Sequence, residues 1–193
     1  MTLSPLKKLA ILLGATIFLQ GCVAAVIGGG AVAAKVATDP RTTGTQIDDE
    51  TLEFKVENAV EKDAQIKAEG RVNAVSYNGR VLLIGQVPNS DVKDTATALA
   101  KGVEGVNEVY NELTVSPKIS FAQISKDSWL TTQVKSNMFV DGRVKATDVK
   151  VISENGEVFL LGNVTQSQAN AAADIASKIS GVKKVIKVFK YLD

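Results

Sequence analysis

The chain repeats itself once over most of its length, and this duplication constrains the fold more than any other feature. Residues 78–87 read NGRVLLIGQV, and residues 155–164 read NGEVFLLGNV, 77 positions later. Before these segments, three regularly spaced apolar residues correspond at a separation of 78: Leu52, Val56 and Val60 match Leu130, Val134 and Met138. After them, a Gly-Val pair recurs at a separation of 76, as Gly105-Val106 and Gly181-Val182. Two diverged copies of one small domain are therefore expected.

Each copy is predicted to be α-β-β-α-β. Apolar residues at i, i+4 and i+8 predict amphipathic first helices at 51–62 and 128–140. The Asn-Gly pairs favour type I′ turns, so the strands on either side of them form antiparallel hairpins. Alanine-rich second helices are predicted at 90–101 and 167–179, with last strands at 106–115 and 182–192. Gly85 and Gly162, inside strands, indicate a bulge or a close backbone approach.

The N-terminus has the features of a lipoprotein signal. Lys7 and Lys8 precede an apolar run at 9–19, which is too short to span a bilayer. The run ends in Leu-Gln-Gly-Cys, which resembles the bacterial lipobox and predicts cleavage after residue 21 and acylation of Cys22. A retained transmembrane helix and an unmodified thiol are the alternatives; glycines at 28–30 weaken the former. Residues 22–47, rich in Ala, Gly and Thr, are predicted to be a lipidated tether.

The composition argues against catalysis. Histidine is absent and Cys22 is the single cysteine, so the usual proton shuttle, an internal disulfide and a cysteine-rich metal site are excluded. The acidic run 48–50 is expected at a helix N-terminus, where negative charge is favourable. A G-x-G-x-x-A match at 28–33 lacks the strand that a dinucleotide site needs before it. We therefore expect no enzyme, no metal site, no cofactor and no nucleic-acid partner.

Charge is unevenly divided between the copies. Residues 48–115 carry 13 acidic and 7 basic side chains, a net charge of −6, whereas residues 118–193 carry 11 basic and 7 acidic side chains, a net charge of +4. A basic second copy suits an anionic lipid surface. The alternative is that the imbalance serves solubility or docks one copy against the other.

The single tryptophan lies off the predicted core stripe of its helix. Leu130, Val134 and Met138 define that stripe, and Trp129 lies about 140° away from its centre at 100° per residue. An exposed indole flanked by cations, here Lys126, Lys135, Arg143 and Lys145, is typical of an interfacial membrane anchor. The alternative is that Trp129 fills a seam between the two domains. The predicted lipid-binding residues are Trp129, Thr132, Gln133, Lys135, Ser136, Phe139 and Val140.

The middle strand of each copy is apolar on both faces. Val81, Leu83 and Val87 alternate with Leu82 and Ile84, and residues 158–161 repeat the pattern. One face must pack on helices, and the other must meet the partner domain or another molecule. We expect the two domains to pack together.

These features together resemble a known family. Two α-β-β-α-β units with Asn-Gly turns, V-x-L-x-G-x-V strands and late Gly-Val pairs resemble tandem BON domains, here at 48–116 and 128–193 with a linker at 117–127. With the lipobox, and with the segments 37–41, 109–112 and 154–159, the chain resembles the DolP family of dual BON-domain outer-membrane lipoproteins.

The resemblance implies where such a protein acts. It implies a palmitate-bearing anchor in the outer membrane facing the periplasm, with Val23 rather than aspartate after the cysteine fitting that sorting pattern. It also implies binding of an anionic, phosphatidylglycerol-like phospholipid membrane through the second domain, concentration at the cell division site, and a role in membrane integrity. The alternative function is a non-enzymatic scaffold that recruits an envelope protein complex.

Overall fold

The computed structural model describes residues 41–192. The predicted signal peptide, Cys22 and the tether as far as residue 40 lie outside the described residues. Among the residues that are described, no helix combines the length and the apolar character needed to cross a bilayer.

The predicted order of elements is confirmed in both copies. In the first, the elements are α1 Thr43–Val60, α2 Ala64–Glu69, β1 Arg71–Tyr77, β2 Arg80–Val87, α3 Ser90–Lys101, β3 Glu108–Asn111 and β4 Thr114–Val115. In the second, they are α4 Phe121–Asp141, β5 Val149–Glu154, β6 Glu157–Val164, α5 Gln166–Ser177 and β7 Lys184–Tyr191. The short helix α2 and the division of the last strand into β3 and β4 are found in the first copy and were not predicted.

Each copy forms one mixed sheet. The hairpins β1–β2 and β5–β6 are antiparallel, whereas β3, β4 and β7 return parallel to the middle strand of their own sheet. Asn78 and Asn155 have φ of 53° and 51°, and the glycines after them also have positive φ, as the predicted type I′ turns require. Gly162 lies so close to the partner strand that an added methyl group would overlap the carbonyl oxygen of Asp148, which confirms the close backbone approach.

Both first helices begin about two turns earlier than the sequence pattern predicts. The Thr42 side chain accepts a hydrogen bond from Thr45 N at 3.1 Å, and Ser120 accepts one from Gln123 N at 3.2 Å, so each helix has a capped start. Residues 48–50 consequently lie within α1 rather than at its N-terminus, and that prediction was wrong. The sequence pattern missed these starts because neither first turn contributes a residue to the apolar core stripe.

A buried aspartate ties each first helix to the hairpin turn. The Asp49 carboxylate accepts hydrogen bonds from Asn78 N at 2.8 Å and Gly79 N at 3.0 Å. Asp127, 78 positions later, does the same for Asn155 N and Gly156 N, both at 2.8 Å. These side chains satisfy turn amides that would otherwise be buried without partners.

The first described residue is held against the same turn. Arg41 donates from Nη1 to Asp49 Oδ2 at 2.6 Å, and its guanidinium lies 4.5 Å from the centroid of the Tyr77 ring. The path of the chain into α1 is thereby fixed by contacts to the helix and to the end of β1.

Three apolar cores give the described residues a four-layered arrangement. One core lies between α1, α3 and the first sheet, and a second lies between α4, α5 and the second sheet. The third joins the remaining faces of both sheets and contains Val75, Tyr77, Leu82, Ile84, Phe159, Leu161 and Val188. The expectation that the domains pack together is confirmed, and the two helical layers lie on opposite sides of the paired sheets.

Candidate functional site

The helix α4 separates a core stripe from an apolar outer face. Leu130, Val134 and Met138 are buried as predicted. Trp129 is 57% exposed, Phe139 78% and Val140 84%, whereas Gln133 is half-buried. Thr132, Lys135 and Ser136 are also exposed. The alternative in which Trp129 fills a seam between the domains is wrong, because the side chain lies on the side of α4 away from the sheets.

Phe121 is a member of this face that the sequence interpretation missed. It begins α4 and is 82% exposed. Phe139 follows five turns later at the same azimuth, about 27 Å along the axis, with Trp129 about 80° from both. We refer to Phe121, Trp129, Thr132, Ser136, Phe139 and Val140 as the outer face of α4. The sequence Ser120-Phe121-Ala122-Gln123 has the S-x-x-Q spacing of a capping box, and that signal could have located the helix start.

The outer face of α4 carries no acidic side chain. The helix contains two acids, of which Asp127 is buried against its turn and Asp141 is the last residue. Lys126 and Lys135 are exposed on the helix. An anionic surface approaching this face therefore meets apolar and cationic groups.

Arg143 and Lys145, which belong to the flanking cations predicted from the sequence, are engaged by carboxylates. Arg143 contacts Asp141 at 2.6 Å and Asp174 at 3.0 Å, and Lys145 contacts Asp148 at 3.4 Å. The hydrogen bond from Arg143 lowers the pKa of Asp141, while Lys178 and Arg143 together lower that of Asp174. Arg143 and Lys145 are nevertheless exposed, as expected from the sequence, and each takes part in an ion pair at the surface.

The corresponding face of α1 has the opposite electrostatic character. Ile47 and Phe54 are exposed there. Glu50 and Glu61 are exposed on the same side, and Glu57 accepts a hydrogen bond from Ala74 N at 3.0 Å. This face belongs to the helical layer on the far side of the sheets from α4.

Polar contacts border the apolar core between the two sheets. Glu154 Oε1 accepts hydrogen bonds from Arg71 Nη1 and Gln86 Nε2, both at 2.6 Å. Lys150 Nζ contacts Glu53 Oε1 at 2.7 Å. Ion pairs therefore help to dock the domains, but only Lys150–Glu53 has the sense that the charge imbalance predicts, because in Arg71–Glu154 the base lies in the acidic first copy and the acid in the basic second copy.

No metal-binding constellation occurs in the part of the chain that the structure describes. Residues 41–192 contain no group of three or more His, Cys, Asp or Glu side chains arranged to hold an ion.

Comparisons with known proteins place these features in context. The family model of the BON domain matches residues 48–117 and 126–193. The chain is 54% identical over 154 residues to the "21 kDa hemolysin" of Actinobacillus pleuropneumoniae, covering 80% of this chain and 79% of that protein. It is 31% identical over 154 residues to "Osmotically-inducible protein Y" of Escherichia coli K12, covering 78% and 76%.

A more distant likeness exists to a solved structure. The C-terminal domain of CdsD, a structural protein of the type III secretion system of Chlamydia trachomatis, aligns with a TM-score of 0.31 and 15% identity over 74% of this chain and 98% of that chain. This likeness is too weak to bear on the fold or the function.

Proposed function

The chain belongs to the BON domain family, with two BON domains, and from that premise we propose that its second domain binds anionic phospholipid through the outer face of α4. In this proposal the protein is an outer-membrane lipoprotein anchored through Cys22 and facing the periplasm. It acts without catalysis and supports membrane integrity at the division site. The observation that carries the proposal is the exposed row of Phe121, Trp129 and Phe139 on a helix face without acids.

The apolar contribution comes from large side chains that have no partner within the fold. Complete burial of a side chain of this size in an apolar medium is worth about 1.5–3 kcal/mol. Phe121 and Phe139 share an azimuth near opposite ends of α4, which lets the helix lie along the bilayer surface rather than enter it end-on. Trp129, midway between them, buries its ring while its N–H stays among the headgroups.

The electrostatic contribution comes from Lys126 and Lys135. Each cation near an anionic leaflet adds about 1 kcal/mol, and this attraction is screened by salt. The acidic face of α1 lies on the other side of the sheets, where it does not approach the same bilayer surface. Binding is thus expected to be oriented, with the first domain away from the lipid.

Vesicle binding tests the proposal. The protein with Cys22→Ser is mixed with phosphatidylglycerol vesicles, and the emission of Trp129 is followed. We expect a blue shift that weakens with added salt, and at least tenfold weaker binding for Phe139→Ser, because an apolar anchor is lost.

Phe54→Ser is the matched control. It removes an exposed phenylalanine from α1, and we expect wild-type vesicle binding. Equal losses in Phe54→Ser and Phe139→Ser, or an unchanged Trp129 emission with anionic vesicles, would refute binding through α4.

A second candidate function is protein recruitment by the first domain. The paired sheets cover each other, so a scaffold role cannot use their apolar faces. The exposed Ile47 and Phe54 on acidic α1 instead favour a basic protein partner on the side away from the bilayer. Capture of such a partner by the wild type but not by Phe54→Ser, with intact vesicle binding in both, would support this role.

A further inference from the structure

A polar cleft opens at the seam between the two domains. It has a volume of about 560 Å³, and its lining includes Asn78, Arg80 and Asn107 of the first domain and Asn163 and Lys190 of the second. We call these five residues and the space between them the seam cleft. Domain interfaces are preferred places for small-molecule sites because they supply converging groups from two scaffolds.

The seam cleft contains a nearly buried positive charge. Arg80 is 8% exposed, and its guanidinium donates to the carbonyl oxygens of Val188 and Gly162, both at 3.3 Å, and to Asn163 Oδ1 at 3.1 Å. The Tyr110 side chain also hydrogen-bonds Arg80, and the Tyr77 ring centroid lies 5.8 Å from the guanidinium carbon, so every one of these partners is neutral. Among the residues 41–192, no ion pair within 4.0 Å involves Arg80. A buried cation without a counter-charge is unfavourable, so the site has an electrostatic demand for an anion.

The other charged groups of the cleft do not neutralise the charge of Arg80. Lys190 is an exposed second cation that likewise has no ion pair within 4.0 Å among the described residues. Glu108 is the one carboxylate in the lining, and it is exposed and hydrogen-bonded to the Tyr110 side chain. Two cations against one carboxylate make the cleft positive.

We propose that the seam cleft binds a phosphate-type anion, with Arg80 and Lys190 supplying charge and the side-chain amides of Asn78, Asn107 and Asn163 supplying hydrogen bonds. A guanidinium and an ammonium are the usual partners of phosphate oxygens, and amide N–H groups complete the shell. The anion joins the two domains by bridging Arg80 of the first and Lys190 of the second. This site is separate from the outer face of α4 and does not depend on the proposed function.

Thermal unfolding of the full chain in non-ionic detergent tests the proposal. Inorganic phosphate is titrated at constant ionic strength, with chloride as the replaced anion. We expect the midpoint of unfolding to rise with phosphate, since a ligand of the folded state stabilises it. Arg80→Met should abolish this rise, and Lys190→Gln should weaken the apparent phosphate affinity about tenfold.

Lys184→Gln is the matched control, because Lys184 is an exposed cation at the start of β7 outside the cleft. Its phosphate response should equal that of the wild type. An equal rise in Arg80→Met and wild type indicates a general salt effect and overturns the site, as does the absence of any rise in wild type. If Arg80→Met does not fold, the Lys190→Gln variant decides the question by itself: a phosphate response equal to that of the wild type overturns the proposed site.

Two further arms identify the source of the anion and separate this site from lipid binding by α4. Titration with glycerophosphoglycerol, a soluble lipid headgroup, is compared with titration with inorganic phosphate. A larger rise in the unfolding midpoint with the headgroup assigns the site to lipid, and a larger rise with phosphate assigns it to the free ion. Trp129→Glu, which should lose vesicle binding, should keep the phosphate response. Loss of that response in Trp129→Glu would contradict a site in the seam cleft.

Discussion

One buried aspartate in each domain holds the hairpin turn to the first helix. Burial alone would raise the pKa of Asp49, but hydrogen bonds from Ser76, Gly79, Asn78 and Arg41 outweigh it and leave the pKa below the ordinary value of 3.8. The folded state therefore favours the ionised form more than the unfolded state does. The resulting stability is present above pH 4 and is lost as the pH falls through the lower, folded-state pKa.

Asp49→Asn should expose this dependence. We expect a loss of about 2 kcal/mol in the free energy of unfolding at pH 7, because charge-assisted hydrogen bonds to the turn are weakened. The difference from wild type should shrink at pH 3, below the ordinary value of 3.8, because the carboxyl of the unfolded wild-type chain is then largely protonated and part of the charge-dependent stability is lost. Urea unfolding at the two pH values measures it, with the exposed neighbour substitution Asp48→Asn as the control. A loss of the same size at both pH values would show that the charge of Asp49 is not involved.

At the scale of the element, α4 carries two different tasks on opposite sides. Its core side, with Val134 and Met138 fully buried, secures the second domain, and its outer face remains available to a ligand. Substitutions on the two sides should therefore separate folding from binding.

Val134→Glu and Trp129→Glu form the corresponding pair. Val134→Glu buries a charge without a partner and should lower the free energy of unfolding by more than about 3 kcal/mol. Trp129→Glu should change it by less than about 0.5 kcal/mol, because a glutamate at that exposed position remains in water. Far-ultraviolet circular dichroism during urea unfolding compares them. Unfolding of Trp129→Glu would mean that the indole supports the fold.

The repeat made the elements predictable, whereas several positions within them were not. The correspondence of residues 78–87 with 155–164 located both hairpins, and the spacing of Leu130, Val134 and Met138 located the core side of α4. Phe121 and the ion pairs of Arg143 could not be obtained from apolar spacing. Phe121 lies in a helical turn that contributes no core residue. The ion pair of Arg143 with Asp174 joins residues that are distant in sequence and are brought together by the packing of α5 on α4.

At the scale of the whole molecule, the two sheets share one apolar core. Phe159 is buried between them with Leu82 and Ile84 of the first domain. Separating the domains would expose this core to water, so the described part of the chain is expected to unfold as one cooperative body.

Phe159→Ala should destabilise both domains together. The lost burial and the cavity left behind should cost about 3–5 kcal/mol, whereas Phe139→Ala, at an exposed site, should cost less than about 0.5 kcal/mol. Urea unfolding gives the free energies, and amide hydrogen exchange should accelerate in the β1–β2 hairpin as well as in β5–β6. Acceleration restricted to β5–β6 would contradict a shared core.

In the proposed arrangement, with the protein anchored through Cys22, the contacts of Arg41 have a mechanical consequence. Tension arriving along the chain reaches Arg41 before it reaches the first turn of α1. Because Arg41 is attached both to Asp49 on the helix and to the Tyr77 ring at the end of β1, the load is divided between two elements. The first domain as a whole then resists this tension, and α1 does not unwind one turn at a time.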